Sequence, residues 1–69
     1  MKNLTQAIEY ILTLKGVTLT DKHDNFAQFE SNVYGCFEIM FDYSCKRWMA
    51  YRERGKAIAP TQQLLFYFD

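Results

Sequence analysis

The side chains best suited to chemistry in this chain are few and far apart. His23, in the stretch DKHD, is the only histidine and stands between Asp21 and Asp24. A general base there needs a nucleophile or a second ligand delivered by the fold. No neighbouring motif supplies one, so a solvated loop histidine is expected. Glu30, Glu38 and Asp42 offer carboxylates, but acid–base work requires burial to raise one of their pKa values. Alternation along CFEIMFDY instead puts Glu38 and Asp42 on the polar face of a strand. Cys36 and Cys45 are separated by nine positions, up to ~30 Å of extended chain, whereas a disulfide needs Cα atoms within about 7 Å. Free thiols, as in a reducing cytosol, are therefore expected. Two cysteines and one remote histidine do not make a tetrahedral zinc set. The chain thus reads as non-enzymatic, with no catalytic residue, metal or cofactor.

The remaining chemistry is positive charge. Five of the eight Lys and Arg residues fall between Lys46 and Lys56, around the only Trp. Formal net charge is zero, yet residues 1–45 sum to −3, residues 46–56 to +4, and Asp69 adds the last −1. A neutral total argues against a strongly cationic nucleic-acid binder and equally against a protein that imitates DNA by negative charge. A local basic patch remains. Its candidate partner-binding residues are Arg47, Trp48, Tyr51, Arg52, Arg54 and Lys56, since Arg, Trp and Tyr are the types enriched in interface hot spots. The same cations would also suit phosphates, with Trp48 and Tyr51 stacking on bases. The plainer alternative is cross-strand pairing, with Glu38 and Asp42 opposite Arg52 or Arg47.

The elements that must position these groups can be read from periodicity. Sixty-nine residues allow one domain, residues 1–69, and a chain of this size buries only about 60% of its unfolded surface. Twelve aromatics in an apolar fraction of 49% supply a dense core for that length. Leu4, Ala7, Ile8, Ile11 and Leu12 lie at helical spacing, with Tyr10 and Leu14 widening the stripe. Asn3 and Gln6 form a capping-box pair, and Lys15–Gly16 gives a C-terminal stop. A helix is predicted over 4–15.

VTLT reads as a short strand or an extended entry, DKHDN as a turn, FAQFES as a strand, and NVYG as a reversal. CFEIMFDY is a strand with Phe37, Ile39, Phe41 and Tyr43 on one face. RWMAYRE is its partner, ERGK a turn, and AIA a few further strand residues before Pro60. For QQLLFYFD the reading favours a short helix capped by Thr61, with an aromatic edge strand as the competing form. The fold class is α+β: an N-terminal helix on a three-stranded antiparallel meander, with a C-terminal helix or edge strand. No apolar run approaches the ~18 residues of a membrane span, and no signal-peptide pattern opens the chain. A cytoplasmic protein is expected, with no membrane partner. The run LLFYF must be covered, by the sheet or by a homodimer interface.

The order α-β-β-β-α resembles the double-stranded-RNA-binding domain, except that the family opens its second helix with lysines. Here PTQQLLFYF holds no basic residue. RWMAYRERGKAIAPT, residues 47–61, resembles the hairpin and following turn of small phage- and mobile-element-encoded proteins, including some anti-CRISPR proteins. That resemblance implies a protein of the bacterial cytoplasm that binds and inhibits a host protein or ribonucleoprotein complex by occluding its surface. A nucleic-acid-binding module built on hairpin 46–56 is the alternative.

Overall fold

The computed structural model describes the backbone of residues 2–54 and 61–69, with side chains throughout except those of Glu53, Arg54 and Thr61. The ERGK turn, AIA and Pro60 all involve residues outside that set.

Helix α1 spans Leu4–Leu12 and begins as its sequence demands. The Gln6 amide donates to Asn3 Oδ1 at 2.8 Å, and the Asn3 amide donates back to Gln6 Oε1 at 3.0 Å. Two of the helix's orphan donors are thereby satisfied. It ends three residues before the predicted Lys15. Thr13 turns its hydroxyl onto the Tyr10 carbonyl, and the amides of Thr13 and Leu14 bond to Tyr10 and Ile11 in a tightened last turn. A β-branched residue whose hydroxyl competes for backbone carbonyls is a poor continuation. Gly16, at φ +79°, then reverses the chain.

Among the described residues five strands follow: β1 (Val17–Lys22), β2 (Phe26–Ser31), β3 (Gly35–Asp42), β4 (Arg47–Arg54) and β5 (Thr61–Phe68). They form one antiparallel sheet in sequence order, β1-β2-β3-β4-β5. The α+β class holds, whereas the three-stranded meander and the C-terminal helix are corrected. VTLT is too short to stand alone, but β1 extends through Lys22 and gains a ladder against β2. The hairpin between them is closed by His23, whose amide donates to the Phe26 carbonyl and whose ring stacks on Phe26 at 4.2 Å.

Residues 61–68 form a strand because β4 offers an adjacent ladder. A bulge opposite Ala50/Tyr51 lets Leu65 and Phe66 both pack toward the core. Phe68 falls beside Trp48, and aromatic residues on a half-buried pleated surface outweigh the Thr61 cap.

Cross-strand rows build the core. Ala27, Ile39 and Ala50 align across β2, β3 and β4, flanked by the Phe29–Phe37 pair on one side and by Phe41, Trp48 and Phe68 on the other. The two alanines keep the middle row low, and Ala7, Ile8 and Ile11 of α1 join the same buried cluster. Phe29 and Phe37 stack at 5.4 Å. The opposite face carries a half-buried apolar row, Phe26–Met40–Met49–Tyr67, and a polar one, Gln28–Glu38–Tyr51.

Candidate docking site at the basic hairpin

The β3–β4 connection is a four-residue loop between the paired residues Asp42 and Arg47. Asp42 organises it: its Oδ1 accepts from the Ser44 amide at 3.0 Å and the Ser44 hydroxyl at 2.6 Å. Lys46 closes the loop at φ +57°, a left-handed conformation common at the last position of such turns. The loop's tip holds Tyr43, 80% exposed, although its parity places it with Phe41.

The hydrogen bonds to Ser44, side chain first and then backbone, hold the Asp42 carboxyl below its usual value. Its neighbour Tyr67, whose hydroxyl donates to Asp42 Oδ2 at 3.2 Å, is pushed above the ordinary phenol value, chiefly by that hydrogen bond. Because Asp42's folded value is depressed, its contribution to stability is complete above the unfolded aspartate's pKa. It is lost as pH falls through the lower folded value. An NMR titration checks the pair: in Asp42→Asn the Tyr67 midpoint should move down toward that of free tyrosine. A midpoint unmoved by the substitution would show that Asp42 does not set it.

The predicted contact residues separate into different environments. Arg47 is 46% exposed; its Nε donates to Asp69 Oδ1 at 3.2 Å and its guanidinium lies 5.4 Å from the Tyr67 ring centre. The expected pairing of Arg47 with Asp42 exists in strand register only, since the ion pair goes to Asp69.

Trp48 is 5% exposed, edge-on to Phe41 and beside Phe68, with its indole N–H donating to the Lys2 carbonyl at 3.1 Å. It faces the core because its parity matches Ala50 and its cross-strand neighbour is Phe41. Tyr51 is 4% exposed, and its hydroxyl donates to Glu38 Oε2 at 2.6 Å. Glu38 therefore faces Tyr51 across the ladder, not Arg52. Arg52 is half-buried and satisfied internally, donating to the Tyr34 carbonyl at 2.9 Å and to Gln63 Oε1 at 2.8 Å. The Arg54 side chain and Lys56 lie outside the described residues.

The structure instead gathers Arg47 and Lys46 with groups that the sequence keeps distant. An open groove of about 890 Å³ runs between α1 and the β3–β4 end of the sheet, with Lys2, Tyr10, Phe41, Lys46, Arg47 and Asp69 among its lining residues. Lys2 bonds to the Asp69 backbone carbonyl and sits 5.5 Å from the Tyr10 ring centre, and Tyr10 stacks on Phe68 at 5.2 Å. Tyr10, read in the sequence as part of the core stripe, is thus half turned to solvent. No local signal marks this assembly, because Lys2 and Asp69 stand at opposite ends of the chain.

His23 lies in the β1–β2 turn, 3.0 Å from Asp21, and Cys36 and Cys45 are free. Among the described residues no three His, Cys, Asp or Glu side chains cluster as metal ligands, and no helix is long and apolar enough to cross a membrane. No protein-family model, no curated protein and no solved structure matches this chain.

Proposed function

We propose that the protein is a non-enzymatic interaction module that docks on an acidic surface of a host macromolecular complex and inhibits it by occlusion. The observation behind this reading is the convergence of three cations, Lys2, Lys46 and Arg47, over the two carboxylates Glu9 and Asp69, with Tyr10 and Phe41 around one open groove. Arg beside exposed aromatic surface is a composition enriched in protein-binding patches. Arg47 anchors the set among the residues expected from the sequence. Trp48 and Tyr51 support it from within, and Arg52 holds the β4–β5 end of the sheet. The resemblance of residues 47–61 to phage-encoded modulators is in keeping with this mode of action and points to a bacterial host and a protein or ribonucleoprotein target.

Charge reversal tests the reading. Lys46→Glu with Arg47→Glu should abolish co-purification of the host complex while leaving the circular-dichroism spectrum unchanged and lowering the melting midpoint only slightly, by the loss of the exposed Arg47–Asp69 pair. Undiminished capture by the double variant would remove the groove from consideration. The alternative, a nucleic-acid-binding module, predicts retention on a DNA or RNA oligomer that weakens steeply with salt. Three phosphate contacts give a log–log slope of about −2.7. The buried rings of Trp48 and Tyr51 offer no stacking platform in this arrangement, which favours the protein-docking reading.

A further inference from the structure

The two edges of the sheet are unlike, and the difference bears on self-association. The outer edge of β1 is guarded: its ladder slips between Leu19 and Asp21, and the exposed Asp21 and Lys22 occupy its end. A bulge and edge charges are the usual devices against strand addition. β5 has a bulge but no charge. Its eight residues, TQQLLFYF, contain no Lys, Arg, Asp or Glu, and Leu64 is 47% exposed on it. Among the described residues, no strand pairs with the outer edge of β5. The amides and carbonyls of this uncharged strand that point away from β4 form a template for another strand.

We propose that this edge pairs with the β5 edge of a second copy, antiparallel and about a two-fold axis, to give one continuous ten-stranded sheet across a homodimer. The second copy is favoured over a foreign strand by self-complementarity. An uncharged strand meets its own copy without like-charge repulsion, and an isologous contact uses the same patch twice. The guarded β1 edge decides the form of the assembly. A β5-to-β1 contact would repeat head to tail and grow an open filament, and the bulge with Asp21 and Lys22 opposes it. A β5-to-β5 contact consumes both competent edges and closes. Pairing also shields Leu64, the exposed apolar side chain of this strand. The inference is independent of the docking groove.

Light scattering and hydrogen exchange on the full chain test it. Measured across a hundredfold range of concentration, the mass should rise from that of the 8.2 kDa chain toward twice that value. Amide exchange in β5 should slow with concentration while exchange in β1 does not. Leu64→Lys should raise the dimer dissociation constant by about tenfold or more through like charges near the axis. Gln62→Lys, at an exposed position of the same strand, does the same if the first variant folds poorly. A monomer throughout would overturn the proposal. So would a dimer whose β5 exchange is independent of concentration, or one indifferent to both lysines in folded protein.

Discussion

Trp48→Ala should cost the chain about 3–5 kcal/mol of stability, the largest loss expected of any single substitution here. Trp48 lies between Phe41 and Phe68 in the outermost core row, and its indole N–H donates to the Lys2 carbonyl, holding the start of α1 against β4. Truncating a buried Trp costs about 3–5 kcal/mol in transfer and cavity terms. A domain of this size has a total stability on the order of 3–10 kcal/mol. The loss is therefore a large share of what exists. Urea titration followed by far-ultraviolet circular dichroism measures it. Trp48→Phe separates the contributions: it keeps a ring between Phe41 and Phe68 but removes the donor to Lys2, worth about 0.5–1.5 kcal/mol net, so its midpoint should fall between wild type and Trp48→Ala. An alanine variant within 1 kcal/mol of wild type (about a fivefold change in the folding equilibrium) would contradict the packing described.

Tyr51→Phe should destabilise the protein by about 1–3 kcal/mol, although it removes a single oxygen. The phenol donates to Glu38 Oε2 at 2.6 Å, while Gln28 Nε2 donates to Oε1 of the same carboxylate at 2.7 Å. The three side chains form a line across β2, β3 and β4 on the face away from the helix. A short bond to a carboxylate is among the stronger kinds, and deleting its donor leaves half-buried charge poorly solvated. Glu38→Gln in the Tyr51→Phe background should recover part of the loss, because the neutral amide needs less from its neighbours. The double-mutant cycle then gives the coupling between Tyr51 and Glu38, expected at about 0.5–3 kcal/mol. Independent, additive costs would mean that the two groups do not act as a pair.

These two residues also show where sequence reasoning succeeds and where it stops. The Asn3–Gln6 box and the alternation of Phe37, Ile39 and Phe41 are local patterns with local causes, and the structure reproduces both. Trp48 and Tyr51 are contact candidates by type alone, since Trp and Tyr favour interfaces. Yet the parity of Trp48 with Ala50 already linked it to the strand's buried face. For Tyr51 the decisive fact is the register that sets it opposite Glu38, and register depends on a loop whose length the sequence leaves open. At β5 the sequence favours the helix over the edge strand that forms, for a related reason. Thr61 followed by Gln and Leu satisfies a helix start locally, whereas the ladder with β4 is a tertiary gain that no window of sequence contains. The groove was the least legible part. Its lining combines Lys2, Tyr10, Arg47 and Asp69, which only the packed sheet and helix bring together.

The sheet's sequential order also constrains how the chain reaches its native state. Every strand pairs with its neighbour in sequence, so four hairpin closures assemble the whole ladder without a crossover. The short connections from β1 to β4 make each closure there inexpensive in chain entropy, and local topologies of this kind fold fast. The contacts that remain are remote: the Trp48 indole on the Lys2 carbonyl spans 46 positions, and Lys2 with Asp69 spans 67. They form when the start of α1 meets β4 and the end of β5. The only Trp in the chain lies at that junction, so its fluorescence follows helix docking, while far-ultraviolet dichroism follows the ladder. The molecule carries its own reporter for the closing of its longest-range contacts.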